Sequence, residues 1–264
     1  MSCMGHQSVL THYQKIVQQH TQANYLLTKK ISVSYHSKQP LHELWNIHNA
    51  ATKHPKIKHY PPKQSLLDLK ILIADKIFTK CCFCCHRCQV NRTQSTGLCQ
   101  QLEPLIPSMF CHHGEEEIFV PSFTIFFSGC NFHCTFCQNW DISQNTKGLE
   151  ITPEKCADYL NGLSNTTIKN INWVGGEPTP HIPFILKILQ MIDKNIPQIW
   201  NSNMYCSTET LLLLDGVIDV YLTDFKFGNN SCAHILAQVP HYVETIQRNH
   251  QRVENSAEFF IRHL

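Results

Sequence analysis

Three absences narrow the class of this chain before any motif is considered. No apolar run approaches the roughly 18 residues needed to span a bilayer, which sets aside a membrane-spanning reading. Charge of either sign is sparse: 16% of the 264 residues are charged, and the net charge is +2 with histidine neutral. That balance gives no electrostatic reason to expect nucleic acid as the main partner. The opening stretch, MSCMGHQSVLTHYQK, lacks the basic-then-apolar layout of a signal peptide. With a hydrophobic fraction of 42%, the composition is that of an ordinary soluble globular protein, long enough for one large domain or a domain plus an extension.

Cysteine and histidine are abundant instead. The 17 histidines are scattered and read as surface or packing residues. The 14 cysteines are clustered, and two explanations compete. A secreted disulfide scaffold is one; without a signal peptide and in a chain this long, metal or cluster binding in a reducing compartment fits better. The protein is therefore read as cytoplasmic.

The chemistry concentrates in TIFFSGCNFHCTFCQNWD, residues 124–141, where Cys130, Cys134 and Cys137 follow an apolar run in C-x3-C-x2-C spacing. Three thiolates on one loop suit an iron–sulfur cluster, whereas a closed structural zinc site uses four protein ligands. An earlier run, CCFCCHRCQVNRTQSTGLC, places Cys81, Cys84, Cys88 and Cys99 in C-x2-C-x3-C-x10-C spacing, with Cys82 and Cys85 beside them. A structural zinc, a second cluster, and a set of small buried side chains with no metal remain open for it.

The periodicity divides the chain into a helical extension over residues 1–80, a cysteine-rich loop region over 81–121 and an α/β core over 122–264. The extension is expected to be peripheral, with short helices near His12–Gln19 and Leu41–Ala51 and disorder at the extreme N-terminus. Leu66, Leu67, Leu69, Ile71, Leu72, Ile73 and Ile77 form one broad apolar helix face. In the core, strands are predicted at Thr124–Ser128, Ile168–Val174, Gln198–Ser202, Val217–Thr223 and Glu258–Leu264, with helices between them. The first of those helices starts at a Thr152 cap followed by Pro153, and Cys156, Tyr159, Leu160 and Leu163 supply its buried stripe. Another, from Cys232 to Arg248, is broken near Pro240. Strands alternating with helices predict a parallel sheet or barrel. Reactive groups in such folds sit on loops at the C-terminal strand ends. The cysteine loop, Gly175–Pro178, Asn201–Asn203 and Asp224–Lys226 all fall there. The last strand has no following helix, so either residues 1–80 cover that edge or the chain is a fragment of a longer one.

These motifs, in this order, resemble the radical S-adenosylmethionine superfamily. The resemblance rests on the cysteine triplet with Phe136 before its last cysteine, and on Gly175-Gly176-Glu177 at the next strand end. FFSGCNFHCTFCQN, WVGGEPTPH, WNSNMYCS and YLTDFKFG are similar to the branch related to pyruvate formate-lyase-activating enzyme, as is CxxC-xxxC-xVNR. It covers about residues 65–264 and implies a partial (β/α) barrel. It further implies a 4Fe–4S cluster on Cys130, Cys134 and Cys137, with the open iron chelated by S-adenosylmethionine and reductive cleavage giving a 5′-deoxyadenosyl radical that abstracts hydrogen. Phe136, Gly175, Gly176, Glu177, Ser202, Asn203, Asp224, Lys226 and Arg262 are the implied cofactor contacts. Glu177 or nearby carbonyls would accept from the methionine ammonium, and Lys226 and Arg262 would face its carboxylate. The chain departs from the branch at Cys85, where proline is usual, at Gln89 and Gln100, where glycine is usual, and at Asn201-Ser202-Asn203, where an acidic residue, threonine and asparagine are usual. His112, His113, Glu115 and Glu116 also resemble a branch string but read by themselves as a polar loop. The implied partners are a one-electron donor such as a flavodoxin or ferredoxin and a protein whose glycine yields the hydrogen. A small-molecule or other modification target is the second reading, and a non-catalytic metal-binding module or inactive fragment the third.

Overall fold

The computed structural model describes residues 10–164, 167–254 and 256–263; the disorder expected at the extreme N-terminus falls outside these residues. Four helices come first: α1 (Thr11–Val17), α2 (Asn24–Thr28), α3 (Leu41–Lys53) and α4 (Leu66–Phe78). After the cysteine-rich segment come β1 (Leu105–Ile106), β2 (Ser108–His112), β3 (Ser122–Phe127), α5 (Trp140–Ser143) and β4 (Leu149–Glu150). The remainder alternates: α6 (Pro153–Gly162), β5 (Asn170–Gly175), α7 (Ile182–Met191), β6 (Gln198–Ser202), α8 (Thr208–Leu214), β7 (Val220–Phe225), α9 (Asn230–Ala237), α10 (Tyr242–Val253) and β8 (Glu258–His263). Local chemistry sets several of these starts. Ser65 and Asp68 close a capping box on α4, and Thr152 Oγ1 accepts from Lys155 N ahead of Pro153 in α6. The predicted break near Pro240 separates α9 from α10, with Gln238 and His241 both left-handed on either side of it (φ 60° and 49°).

The central sheet has the order β2-β3-β5-β6-β7-β8, antiparallel at β2–β3 and parallel throughout the rest. Each parallel strand lies beside its predecessor, so the crossovers all step in one direction. Crossovers of this kind are right-handed, and stepping one way puts every connecting helix on the same face. The arrangement is compatible with a partial barrel and excludes a doubly wound sheet, whose strand order reverses.

The two faces of the sheet differ in chemistry. Phe123, Ile125, Phe127, Ile171, Trp173, Trp200 and Tyr221 pack under the helices in the large core. On the opposite face, Ile199, Val220 and Leu222 meet Leu10, Tyr13 and Phe119 in a smaller apolar cluster. The first helix thus covers the lower end of this second face of the sheet. It is anchored there by Glu258 of β8, whose carboxylate accepts from His12 N and Tyr13 N at 2.7 and 2.8 Å. Asn170 Nδ2 donates to the Tyr13 hydroxyl at 2.9 Å.

These contacts correct the expectation of a peripheral N-terminal extension: Tyr13, Ile16, Tyr25 and Leu44 are all buried. Buried Asp219 receives Asn24 N and Gln198 N at 2.9 and 2.8 Å, stitching α2 to the sheet. Tyr159 also differs from expectation, being half-exposed where it leans on Phe123, while Ala157 takes its place in the buried stripe of α6.

Lys70 lies on the broad apolar face of α4 and is fully buried. Its ammonium donates to Leu212 O at 2.6 Å and faces His48 Nε2 at 2.9 Å. Burial pushes Lys70 down to about 7, and burial together with Lys70 pushes His48 down to about 3. A lysine depressed by folding contributes stability that is complete above its unfolded value of about 10.4 and is lost as pH falls toward the folded value. Relative to Lys70→Met, the wild-type unfolding free energy should therefore rise by on the order of 4 kcal/mol between pH 7 and pH 10. Urea melts of both proteins, run anaerobically across that window, check this; parallel pH profiles would contradict it.

Candidate functional site

The cysteine loop leaves β3 and is clamped on both sides. Gly129 N donates to Ile142 O at 2.9 Å, while His133 N and Thr135 N donate to Ala237 O and Leu236 O at 3.0 and 2.8 Å. This leaves Cys130 buried, with Cys134 and Cys137 half-buried toward solvent. The three thiols lie within electrostatic reach of one another, and burial first of all raises Cys130 well above the thiol range and Cys134 to about 11. Lys226 opposes the rise at Cys134. Phe136 is half-exposed at the lip and touches Phe227. No disulfide joins any of the described cysteines.

The Gly175-Gly176-Glu177 turn sits directly against this loop. Gly175 holds φ +129°, and a Cβ on it would lie 2.1 Å from Phe127 N. A Cβ on Gly176 would lie 2.1 Å from Gly129 O. The two glycines therefore bring one strand end into backbone contact with the next. Glu177 is buried, and both its oxygens are engaged. Oε1 accepts from Thr179 N, Thr179 Oγ1 and Ser202 Oγ at 3.3, 2.6 and 2.6 Å, and Oε2 accepts from Asn203 N at 3.0 Å. Burial raises its carboxyl above the ordinary range against the pull of those donors.

Ser202 and Asn203 are likewise built into the frame. Asn203 Nδ2 donates to Asn131 Oδ1 at 2.8 Å and lies 3.8 Å from Cys130 Sγ, while its Oδ1 accepts from Tyr205 N at 2.9 Å. Ser202 Oγ accepts from Met204 N at 3.0 Å. At the end of β7, Lys226 Nζ pairs with Asp224 Oδ2 at 2.7 Å, and Arg262 Nε meets the other oxygen at 2.9 Å. The Arg262 guanidinium also donates to Asn201 Oδ1 and reaches Glu115 Oε2 at 3.5 Å.

Glu115, which sequence reasoning read as part of a polar loop, takes a structural place that the sequence did not show. It lies in the loop between β2 and β3, where its Oε1 accepts from Asn172 Nδ2 and Asn201 Nδ2 at 3.1 and 3.4 Å and lies 4.0 Å from His112. Burial raises its carboxyl, and Arg262 lowers it. The HHGEEE string thus folds against the polar inner face of the sheet. The usable signal was the alternation Asn170-x-Asn172 and Asn201-x-Asn203 on strands otherwise rich in apolar residues.

The donor set fits an iron–sulfur group and S-adenosylmethionine. Three thiols share one loop, and the Gly176–Gly129 backbone contact packs the glycine turn directly against it. Among the described residues no three His, Cys, Asp or Glu side chains converge on a point suited to a single ion. Gly176→Ala should destabilise the protein by about 2 kcal/mol through backbone overpacking. Gly162→Ala, at the end of α6 with open space around it, should be neutral or stabilising by up to about 1 kcal/mol. Thermal and denaturant melts of the two variants distinguish crowding from a general intolerance of glycine replacement.

A family model described as Radical SAM superfamily matches residues 124–257. Over 255 residues the chain is 47% identical to Uncharacterized protein MJ0674 of Methanocaldococcus jannaschii, an alignment covering 92% of this chain and 75% of that protein. With the cysteine loop, the glycine turn and the strand-end residues gathered as described, the chain belongs to the radical SAM superfamily.

Proposed function

We propose that the chain is an activase-like radical S-adenosylmethionine enzyme that takes a hydrogen atom from a glycine of a partner protein. Membership of the superfamily implies an enzyme with an iron–sulfur cluster and S-adenosylmethionine as cofactors. The observation that carries the reading is the linkage of four strand ends around the thiols. Cys130 neighbours Asn203, Asn203 N donates to Glu177, and Lys226 acts electrostatically on Cys134. When bound, the cluster and cofactor supply one electron and a 5′-deoxyadenosyl radical.

In this chain Cys130, Cys134 and Cys137 hold the cluster. Lys226 neutralises the methionine carboxylate, and Asp224 positions Lys226. Backbone carbonyls of the Gly175–Gly176 turn accept from the methionine ammonium, because both oxygens of Glu177 already serve the fold. Ser202 and Asn203 shape the wall through backbone and framework contacts. Arg262 is held by Asp224, Asn201 and Glu115 and acts on the site through Asp224. A flavodoxin or ferredoxin supplies the electron, as is general in the superfamily.

The rim favours a protein substrate: Phe136 and Trp140 are 49% and 63% exposed beside the cysteine loop, an aromatic lip that a peptide loop can cover. A small-molecule substrate is the second reading. It is favoured by Asn172 Oδ1 and Glu116 Oε2, buried acceptors without a partner among the described residues, which call for donors supplied from inside the fold.

Anaerobic reconstitution should load about four irons per cluster, and a low-potential reductant should then release 5′-deoxyadenosine. Cys130→Ala, Cys134→Ala and Cys137→Ala should each lower that release at least a hundredfold. Lys226→Met should raise KM for S-adenosylmethionine about tenfold with a smaller change in kcat. Deuterium passing from a labelled partner glycine into 5′-deoxyadenosine identifies the activase reading. Transfer only from a small molecule selects the second reading, and a cluster-loaded protein that never forms 5′-deoxyadenosine defeats both.

A further inference from the structure

Arg92 is 1% exposed, yet no carboxylate among the described residues lies within ion-pair distance of it. Its contacts are Pro180 O at 3.4 Å, the Phe78 ring at 5.0 Å from the centroid, and the sulfur of Cys81 at 4.0 Å. Its Nε has no hydrogen-bond partner among the described residues. A buried guanidinium is tolerated only with a compensating negative charge, and arginine cannot shed its proton to escape that requirement. Of the titratable groups beside it, His181 cannot supply negative charge and the Cys81 thiol can. Cys84 lies within electrostatic reach of Cys81, Cys88 and Cys99. Neutral thiols would leave Arg92 uncompensated, whereas four thiolates on a metal carry net negative charge.

The backbone of this loop is held in conformations that its residues do not favour. Arg87, Gln89 and Gln100 all have positive φ (45°, 58° and 56°), and they flank Cys88 and Cys99 directly. Left-handed backbone at non-glycine positions persists where the surroundings over-determine it. Gly97 packs so closely on Cys88 that a Cβ would lie 2.6 Å from its sulfur. The two neighbouring cysteines are differently placed. Cys85 Sγ donates to Cys206 O at 3.1 Å and accepts from Arg248, and Cys82 lies beside Arg87 and Glu209 as well as Cys88.

We infer that Cys81, Cys84, Cys88 and Cys99 hold a second metal centre, a tetrathiolate site whose counter-cation is Arg92. It is separate from the Cys130 loop but adjoins it, since His86 Nε2 lies 2.8 Å from Asn131 O and Cys99 O lies against Gly129. No three of the thiols converge on a single-ion point among the described residues, as is also true of the Cys130 loop. Zinc and an iron–sulfur cluster share this ligand chemistry, and the experiment separates them.

The full chain is prepared anaerobically with Cys130, Cys134 and Cys137 all replaced by alanine, which removes the first site and makes the result independent of the proposed activity. Iron, sulfide and zinc per chain are measured alongside Mössbauer spectra and circular dichroism. Retention of about four irons with sulfide, or of about one zinc, supports the second centre and names its metal. Further replacement of Cys84 and Cys99 by serine should abolish that metal. In the triple variant, Arg92→Met should speed its loss to a chelator about tenfold, and Arg92→Lys should restore most of the retention. A folded triple variant without metal overturns the inference. So does metal that survives the serine replacements.

Discussion

The buried carboxylate of Glu177 is the tie on which the strand ends depend. It accepts from Thr179, Ser202 and Asn203, so one side chain joins the turn after β5 to the end of β6. From Asn203 the linkage continues through Asn131 to the cysteine loop, and from Asn131 to Tyr205 O. Burying a carboxylate is unfavourable unless its lone pairs are met. Here every donor comes from a segment that has to be placed, so the requirement to satisfy the charge doubles as a requirement for one geometry. The glycines make that geometry reachable, because the carboxylate can meet β6 only where the turn presses on Gly129.

The sheet supports this arrangement asymmetrically. Its outer face is a dry core under the helices, and the lower part of its inner face is closed by Leu10, Tyr13 and Phe119. Above that plug the inner positions turn polar: Asn172, Asn201, Asp224 and Arg262. The N-terminal helices belong to the same packing unit as the sheet. Removing the bonds from Glu258 to α1 would open the lower end and leave Ile199, Val220 and Leu222 without their cover.

Much of this was legible in the sequence because it depends on local rules. The alternation of strands and helices follows from period and capping, and the cysteine loop, glycine turn and Asp-x-Lys pair were placed by their position after each strand. What stayed hidden depends on contacts between distant segments. Lys70 reads as an ordinary exposed lysine of α4 until Leu212 and His48 are brought to it. Glu115 reads as part of a polar loop until Asn172 and Asn201 turn toward it. Arg262 could be matched to a cofactor carboxylate by position, yet its guanidinium is held by Asp224, Asn201 and Glu115. The branch glycines missing at Gln89 and Gln100 left the turns there in doubt, and both residues nevertheless hold positive φ. There the backbone requirement outweighs the residue's own preference.

The polar interior also has a definite charge balance. Glu115, Glu116 and Asp224 oppose Lys226 and Arg262 in one connected set that also includes His112, so with the imidazole neutral the network carries one surplus negative charge. Burial raises the Glu115 carboxyl, and Glu116 adds to that rise while Arg262 counters it, the pattern expected where negative charge is crowded and poorly solvated. Such a network is relieved by a ligand that brings donors and net positive charge. S-adenosylmethionine has that character, since its sulfonium and ammonium outnumber its single carboxylate. Under the proposed function that surplus would complement the cofactor as a whole, and Lys226 would answer the one group on it that the surplus would repel.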